Sequence, residues 1–62
     1  MLIRQIEQFL RRTGMPATRF GRLATRDPRF VLDLRLGRIP RSPMERRVQN
    51  FMHRYEESAH AG

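Results

Sequence analysis

The sequence predicts a small all-α domain of four helices, and three observations support that fold class. Apolar residues recur three or four positions apart in each of four segments, which is the spacing of one helical face. A glycine or a proline stands near each boundary between these segments. Alternating apolar and polar residues, which would indicate a strand, extend over no useful length. We therefore expect one domain over residues 1–62, ordered over about 2–56, with a polar tail at 57–62 that frays.

The first predicted helix runs from Leu2 to about Arg12. Its apolar side chains lie on one face, with polar side chains opposite. The apolar set consists of Leu2, Ile3, Ile6, Phe9 and Leu10. Gly14 follows where a residue with left-handed backbone angles would end the helix. We expect the apolar face to pack into the core rather than onto a membrane surface.

The second predicted helix is short, with about eight residues. Pro16 suits its first turn, where no N–H donor is needed. Phe20, Leu23 and Ala24 then recur at helical spacing. We expect Thr25-Arg26 to end this helix.

The third predicted helix covers about 28–36. Asp27-Pro28 is typical of an N-cap followed by proline at the first helical position. Val31 and Leu34 are expected in the core, and Phe30 at least partly. Gly37 ends the helix.

The fourth helix is predicted to begin with a capping box. The preceding Ile39-Pro40-Arg41 must be extended, because proline disfavours helical angles in the residue before it. Ser42 is then the N-cap, Pro43 the first helical residue, and Glu45 the residue whose side chain returns to the Ser42 N–H. The expected buried stripe consists of Met44, Val48, Phe51, Met52 and Tyr55.

The composition argues against several classes of function. A chain of 62 residues buries only about 60% of its unfolded surface and leaves little interior for a catalytic cavity, so we do not expect an enzyme or a small-molecule substrate. Without cysteine, and with His53 and His60 expected to be exposed, we expect no disulfide, metal site or cofactor. No segment has the ~20 apolar residues of a membrane span, and the first residues lack a signal-peptide pattern. The expected location is the cytoplasm.

The charge of the chain indicates a polyanionic partner. The 13 basic residues, all arginine, outnumber 6 acidic residues and give a net charge of +7, which attracts polyanions. Nucleic acid is the first candidate partner and an anionic membrane the second. Between positions 19 and 41 only Asp27 and Asp33 oppose seven arginines, at positions 19, 22, 26, 29, 35, 38 and 41. A merely solvated basic surface is the alternative, because arginine is abundant elsewhere in the chain.

The second and third helices, joined by a tight turn, form a helix-turn-helix arrangement. In this arrangement the first helix lies across the phosphate backbone of DNA. The second, called the recognition helix, projects its N-terminal side chains into the major groove. Arginine suits both contacts, because its planar fork pairs with phosphate oxygens or with guanine O6 and N7.

Three parts of the chain together follow a known pattern: the run Gly14-Met15-Pro16-Ala17-Thr18-Arg19-Phe20-Gly21, then Val31 with Leu34, then Gly37-Arg38-Ile39-Pro40. Through them the chain resembles, from about Phe9 to Met52, the phage repressor and Cro-type (Xre-like) helix-turn-helix family, which has a lambda-repressor-like fold. The resemblance implies a small transcriptional regulator that binds double-stranded DNA sequence-specifically. We expect a homodimer on a two-fold operator.

The chain departs from the family pattern at four places. Pro16 and Ala17 replace a polar cap and a glutamine that touch the DNA backbone in the family. Thr25 stands where the turn commonly carries glycine. Arg35 and Leu10 occupy the places of an acidic and a basic residue that pair between helix 3 and helix 1, so that ion pair is not expected. A fifth helix, often used in dimerisation, has no clear counterpart.

The resemblance also assigns DNA contacts to individual residues. Base reading falls on the start and outer face of helix 3, at Pro28, Arg29 and Asp33, but proline has no donor to offer. Arg29 would contact guanine, while Asp33 would either accept from cytosine N4 or brace the Arg29 guanidinium. Bracing is favoured over the cytosine contact, and an ordinary surface pair of little energy is the alternative. Arg26, at the turn, would contact a base or a phosphate. Phosphate contacts are assigned to Arg19, Arg22, Arg38 and Arg41.

Two other functions stay open on the same fold. One is a protein-binding module of the antitoxin or anti-repressor type, and the other is a charge-driven RNA-binding or architectural protein. Leu32, Leu36 and Ile39 are apolar residues that the helix 3 stripe does not need. They could form a dimer surface or pack against helix 4, and packing is favoured. DNA binding would place the protein on the nucleoid.

Overall fold

The computed structural model describes the backbone of residues 1–61 and the side chains of residues 1–58. The chain forms four helices: α1 (Leu2–Thr13), α2 (Ala17–Thr25), α3 (Phe30–Arg35) and α4 (Ser42–Ala61). No strand occurs in residues 1–61. The predicted all-α, four-helix fold class is therefore confirmed. The residues expected to fray are helical as far as Ala61, and Gly62 lies outside the described residues.

The core forms where the apolar faces of the helices meet. It consists of Leu2, Ile6, Phe9, Met15, Phe20, Ala24, Phe30, Val31, Leu34, Val48 and Met52. Phe9 of α1 lies edge to face with Phe20 of α2, with ring centroids 5.4 Å apart, and Phe51 of α4 lies 5.4 Å from Phe20 in the same manner. Edge-to-face aromatic packing thus joins three helices. Tyr55, expected in the buried stripe, is 38% exposed, although its ring packs edge-on to Phe9.

The end of α1 agrees with the prediction. Gly14 has φ 71 and ψ 13, and its N–H donates to the Leu10 carbonyl at 2.8 Å. A left-handed glycine at this point reverses the chain without a Cβ penalty. The predicted apolar face of α1 is in the core, where Leu2, Ile6 and Phe9 are buried.

The start and end of α2 differ slightly from the prediction. Pro16 has φ −64 and ψ 145, so it precedes the helix instead of occupying its first turn, and its carbonyl accepts from the Phe20 N–H. Thr25 is the last helical residue and bonds through Oγ1 to the Gly21 carbonyl at 2.9 Å. The chain then turns at Arg26, with φ 62. The left-handed residue of the turn is therefore Arg26, not Thr25.

The regular part of α3 begins at Phe30, two residues later than predicted. Pro28 and Arg29 form a turn in which the Phe30 N–H donates to the Asp27 carbonyl. Arg29 is the N-cap of α3 and no side chain caps the helix, so the predicted N-cap at Asp27 is wrong. The Asp27 carboxylate instead closes the preceding turn, where it accepts from the Arg29 N–H at 3.0 Å. The helix ends at Arg35, and Gly37 follows with φ 99.

The capping box predicted for α4 does not form. Ser42 lies inside the helix, and the Glu45 N–H donates to the Arg41 carbonyl at 3.0 Å, which puts Arg41 in the N-cap position. Among the described side chains, neither Ser42 nor Glu45 makes a capping hydrogen bond. An N-cap side chain reaches the first free N–H groups only from non-helical backbone angles. Ser42 is part of the helix and therefore does not have the backbone angles of an N-cap.

Gly21 allows α2 to approach the turn before α3. A Cβ built on Gly21 would collide with the Asp27 carbonyl oxygen, and the Gly21 carbonyl accepts from the Asp27 N–H at 3.1 Å. Only glycine lets the two backbones come this close. Gly21 thus sets the distance between α2 and the start of α3.

Candidate nucleic-acid interface

The side of α3 that faces solvent lies opposite its buried stripe. Phe30, Val31 and Leu34 are buried. At about 100° per residue, Leu32 projects from the opposite side. Leu36 directly follows the helix, one turn after Leu32, and its N–H donates to the Leu32 carbonyl at 3.1 Å. Arg29 directly precedes the helix. Arg29, Leu32 and Leu36 are all exposed, and we call them the α3 outer face.

Arg29 is the charged residue of the α3 outer face. Its backbone N–H is held by the Asp27 carboxylate, while its side chain is exposed. No acidic side chain among the described residues forms an ion pair with it. The predicted bracing of Arg29 by Asp33 is therefore wrong, and the guanidinium is free to meet a ligand.

Asp33 pairs with Arg38 instead. The Arg38 Nη1 lies 3.0 Å from the Asp33 Oδ2, and the Arg38 N–H donates to the Asp33 carbonyl at 3.1 Å. The left-handed Gly37 turns the chain back over the end of α3, which brings Arg38 to Asp33. Arg38 thus enters the candidate interface already paired with a carboxylate.

An ion pair that the sequence did not predict joins α1 to the end of α3. The Arg35 Nη2 lies 2.8 Å from the Glu7 Oε1. The charges are reversed relative to the family's ion pair, because here the basic residue lies on α3 and the acidic residue on α1. Glu7 lies one helical turn before Leu10, the position expected from the family pattern. Both side chains are partly exposed, so the pair contributes about 0–1 kcal/mol to stability. Its main consequence is that Arg35 is engaged away from the α3 outer face.

The remaining predicted phosphate and turn arginines have no ion partner among the described side chains. This group comprises Arg19, Arg22, Arg26 and Arg41, all of which are exposed. Arg19 and Arg22 lie on α2, Arg26 forms the turn before α3, and Arg41 lies at the start of α4. The elements that flank α3 therefore present positive charge that the chain itself does not neutralise.

Three apolar side chains that were expected to pack against α4 are exposed: Leu32, Leu36 and Ile39. Leu36 is 87% exposed and Ile39 89% exposed, so neither packs against α4, and the favoured packing is wrong. Leu32 is 43% exposed. Because Leu32 and Leu36 are four positions apart and out of step with Val31 and Leu34, their spacing could have indicated a second, solvent-facing side.

Other parts of the surface differ from the α3 outer face. A groove of about 670 Å³ between α2 and α4 is lined in part by Leu23, Phe51 and Arg54. His53 is exposed and its Nε2 lies 3.0 Å from the Glu57 Oε1. The side chain of His60 lies outside the described residues.

Within residues 1–61, no helix combines the length and the hydropathy that a membrane crossing requires.

Comparison with family models, curated proteins and solved structures found no match to this chain. The resemblance to the repressor and Cro-type family therefore rests on the residues and spacings described above.

Proposed function

We propose that this chain binds double-stranded DNA sequence-specifically and acts as a small transcriptional regulator of the repressor and Cro type. The observation that carries the proposal is the α2-turn-α3 unit. Its second helix has one side in the core and the other exposed, next to an unpaired Arg29. This is the arrangement that a recognition helix needs.

The dimensions of α3 suit a base-reading role. Six residues at about 1.5 Å each give a helix roughly 9 Å long, and a helix of ordinary diameter fits the major groove, which is about 12 Å wide. With α3 in the groove, Arg29 donates to O6 and N7 of a guanine. The engagement of Asp33 by Arg38 makes Asp33 a positioning residue for that arginine rather than a cytosine acceptor.

The unpaired arginines on the flanking elements supply contacts to phosphate. Arg19 and Arg22 on α2 lie on one side of the turn, and Arg41 lies at the start of α4. Each would displace condensed counterions without reading sequence. Arg38 contributes less, because contact with phosphate competes with its Asp33 partner. Arg26, at the turn, contacts the sugar-phosphate backbone or the first base pair of the site.

A homodimer completes the proposal. A single short recognition helix reads only a few base pairs, so two copies on half-sites about one helical turn apart give the operator its length and symmetry. The protein would then lie on the nucleoid in the cytoplasm and need no cofactor, because all the contacts proposed come from its own side chains.

The exposure of Leu36 and Ile39 favours a second candidate, a protein-binding module of the antitoxin or anti-repressor type. Two almost fully exposed apolar side chains, close in sequence, are a feature of protein interfaces. In this case the arginines give solubility and steering rather than DNA contacts. The charge-driven RNA-binding or architectural protein is the third.

Selection of bound duplexes from a random DNA pool separates these candidates. We expect enrichment of a half-site that contains a guanine and recurs at a spacing of about one helical turn. If the protein binds the random duplexes at low salt but enriches no sequence among them, its binding is driven by charge alone. A pool that does not bind at all would contradict the proposal and leave the protein-binding module.

A further inference from the structure

The α3 outer face is mostly apolar, which is unusual for a surface offered to a polyanion. Of its three residues only Arg29 is polar, while Leu32 and Leu36 expose hydrocarbon to solvent. Leu36 makes so little contact with its own chain that packing does not explain it. A bound partner that covers these side chains would gain their transfer free energy.

The unpaired charges that precede the two leucines in the chain limit the chemistry of that partner. Arg22, Arg26 and Arg29 precede them along the α2-turn-α3 unit, and none is paired with an acidic side chain among the described residues. The partner therefore combines dense negative charge with exposed apolar groups. The major groove of DNA has both, because phosphates line its edges and each thymine presents a C5-methyl group on its floor.

We propose that Leu32 and Leu36 read thymine by packing against its 5-methyl group, next to the base pair that Arg29 contacts. This inference rests on the proposed function, since it needs α3 to lie in the major groove. Leucine has no donor or acceptor, so it distinguishes thymine from the other bases through the methyl group alone. The same contact discriminates against RNA, in which uracil lacks this methyl group and the A-form major groove is too narrow for a helix.

Replacing thymine by deoxyuridine tests the contact directly. The replacement removes one methyl group and keeps every hydrogen-bonding atom of the base pair. We expect the affinity for the selected duplex to fall about three- to five-fold when a contacted thymine is replaced, which corresponds to one buried methyl group. Thymines outside the half-site should have no effect. Fluorescence anisotropy at constant salt measures each duplex.

Variants of the protein assign the effect to the leucines. Leu32→Ala and Leu36→Ala should each bind the thymine and deoxyuridine duplexes with equal affinity at the position that each residue contacts. Leu23→Ala is the matched control, because Leu23 is 50% exposed and lies on α2, outside the outer face. It should keep the full deoxyuridine effect. Circular dichroism melting of each variant verifies that it is folded.

The outcomes separate this inference from the proposed function. A selected site without thymine beside the guanine overturns the inference and leaves DNA binding intact. So does a site whose affinity is the same with deoxyuridine, or an unchanged deoxyuridine effect in both leucine variants. If Leu36→Ala dissociates a dimer in sedimentation but preserves the deoxyuridine effect, Leu36 belongs to a protein interface and is not a base reader. Failure to select any site overturns both proposals.

Discussion

Arg29 and Arg41 have the same charge but different surroundings. Arg29 lies at the end of α3 that would enter the major groove, with its backbone fixed by Asp27. Arg41 precedes α4 and contributes its carbonyl to the first backbone bond of that helix. Both side chains are exposed, so only their position relative to α3 distinguishes them.

Arg29→Ala should therefore reduce affinity for the selected site by about 1–3 kcal/mol, with a much smaller effect on random DNA. Arg41→Ala should weaken binding to both DNAs equally and lower the salt slope by about one unit. Anisotropy titrations with matched duplexes at several salt concentrations measure both effects. Equal, uniform losses in the two variants would show that Arg29 does not read a base.

Arg26 illustrates how a single backbone angle affects stability. Its φ of 62 lies in a region that costs an L-residue about 1–2 kcal/mol, while glycine adopts it freely. Glycine also gains entropy in the unfolded chain, which offsets part of this difference.

Arg26→Gly should consequently raise the free energy of unfolding by about 0.5–1 kcal/mol. Urea denaturation followed by circular dichroism measures the change. Arg22→Gly, at an exposed position inside α2, is the control and should lose about 1 kcal/mol, since glycine weakens a helix interior. Equal losses in the two variants would mean that position 26 is not left-handed in solution.

At the scale of elements, the helix-turn-helix depends on how closely α2 meets the turn before α3. Gly21→Ala places a methyl group against the Asp27 carbonyl, which is backbone and cannot move without shifting α3. We expect a loss of about 1–3 kcal/mol of stability together with weaker DNA binding. Thr18→Ala, exposed on the same helix, should change stability by less than about 0.5 kcal/mol. Thermal melts of the two variants provide the comparison, and an unchanged Gly21→Ala melt would refute the close approach.

The two predicted helix caps are expected to differ in energy. Asp27→Ala removes the acceptor of the Arg29 N–H and should cost about 1 kcal/mol, while Ser42→Ala should be within about 0.5 kcal/mol of the parent. Denaturant midpoints at constant pH measure both. A loss at Ser42 as large as that at Asp27 would mean that the capping box forms in solution after all.

At the scale of the whole molecule, the net charge of +7 should dominate the affinity for any duplex. With Arg19, Arg22 and Arg41 on phosphates, log Kd should change with log salt by about 3 per copy, since each contact contributes about 0.9. Arg4→Ala, on the exposed side of α1, removes one charge outside the interface and should leave this slope unchanged. A flat dependence on salt would exclude nucleic acid as the partner.

Features set within one helical turn were predictable from the sequence alone. The apolar face of α1, the left-handed Gly14 and the existence of all four helices follow from the spacing of apolar residues and from the positions of proline and glycine. Only the tertiary structure decided which side chains meet across elements. Arg35 pairs with Glu7, Asp33 pairs with Arg38 and not with Arg29, and Leu36 is exposed. The physical reason is the separation of the partners in sequence. The backbone hydrogen bonds of a helix join residues that are close in sequence, so local sequence predicts them. A long, flexible arginine side chain pairs with any carboxylate that the folded chain brings within reach, and the sequence does not specify which one.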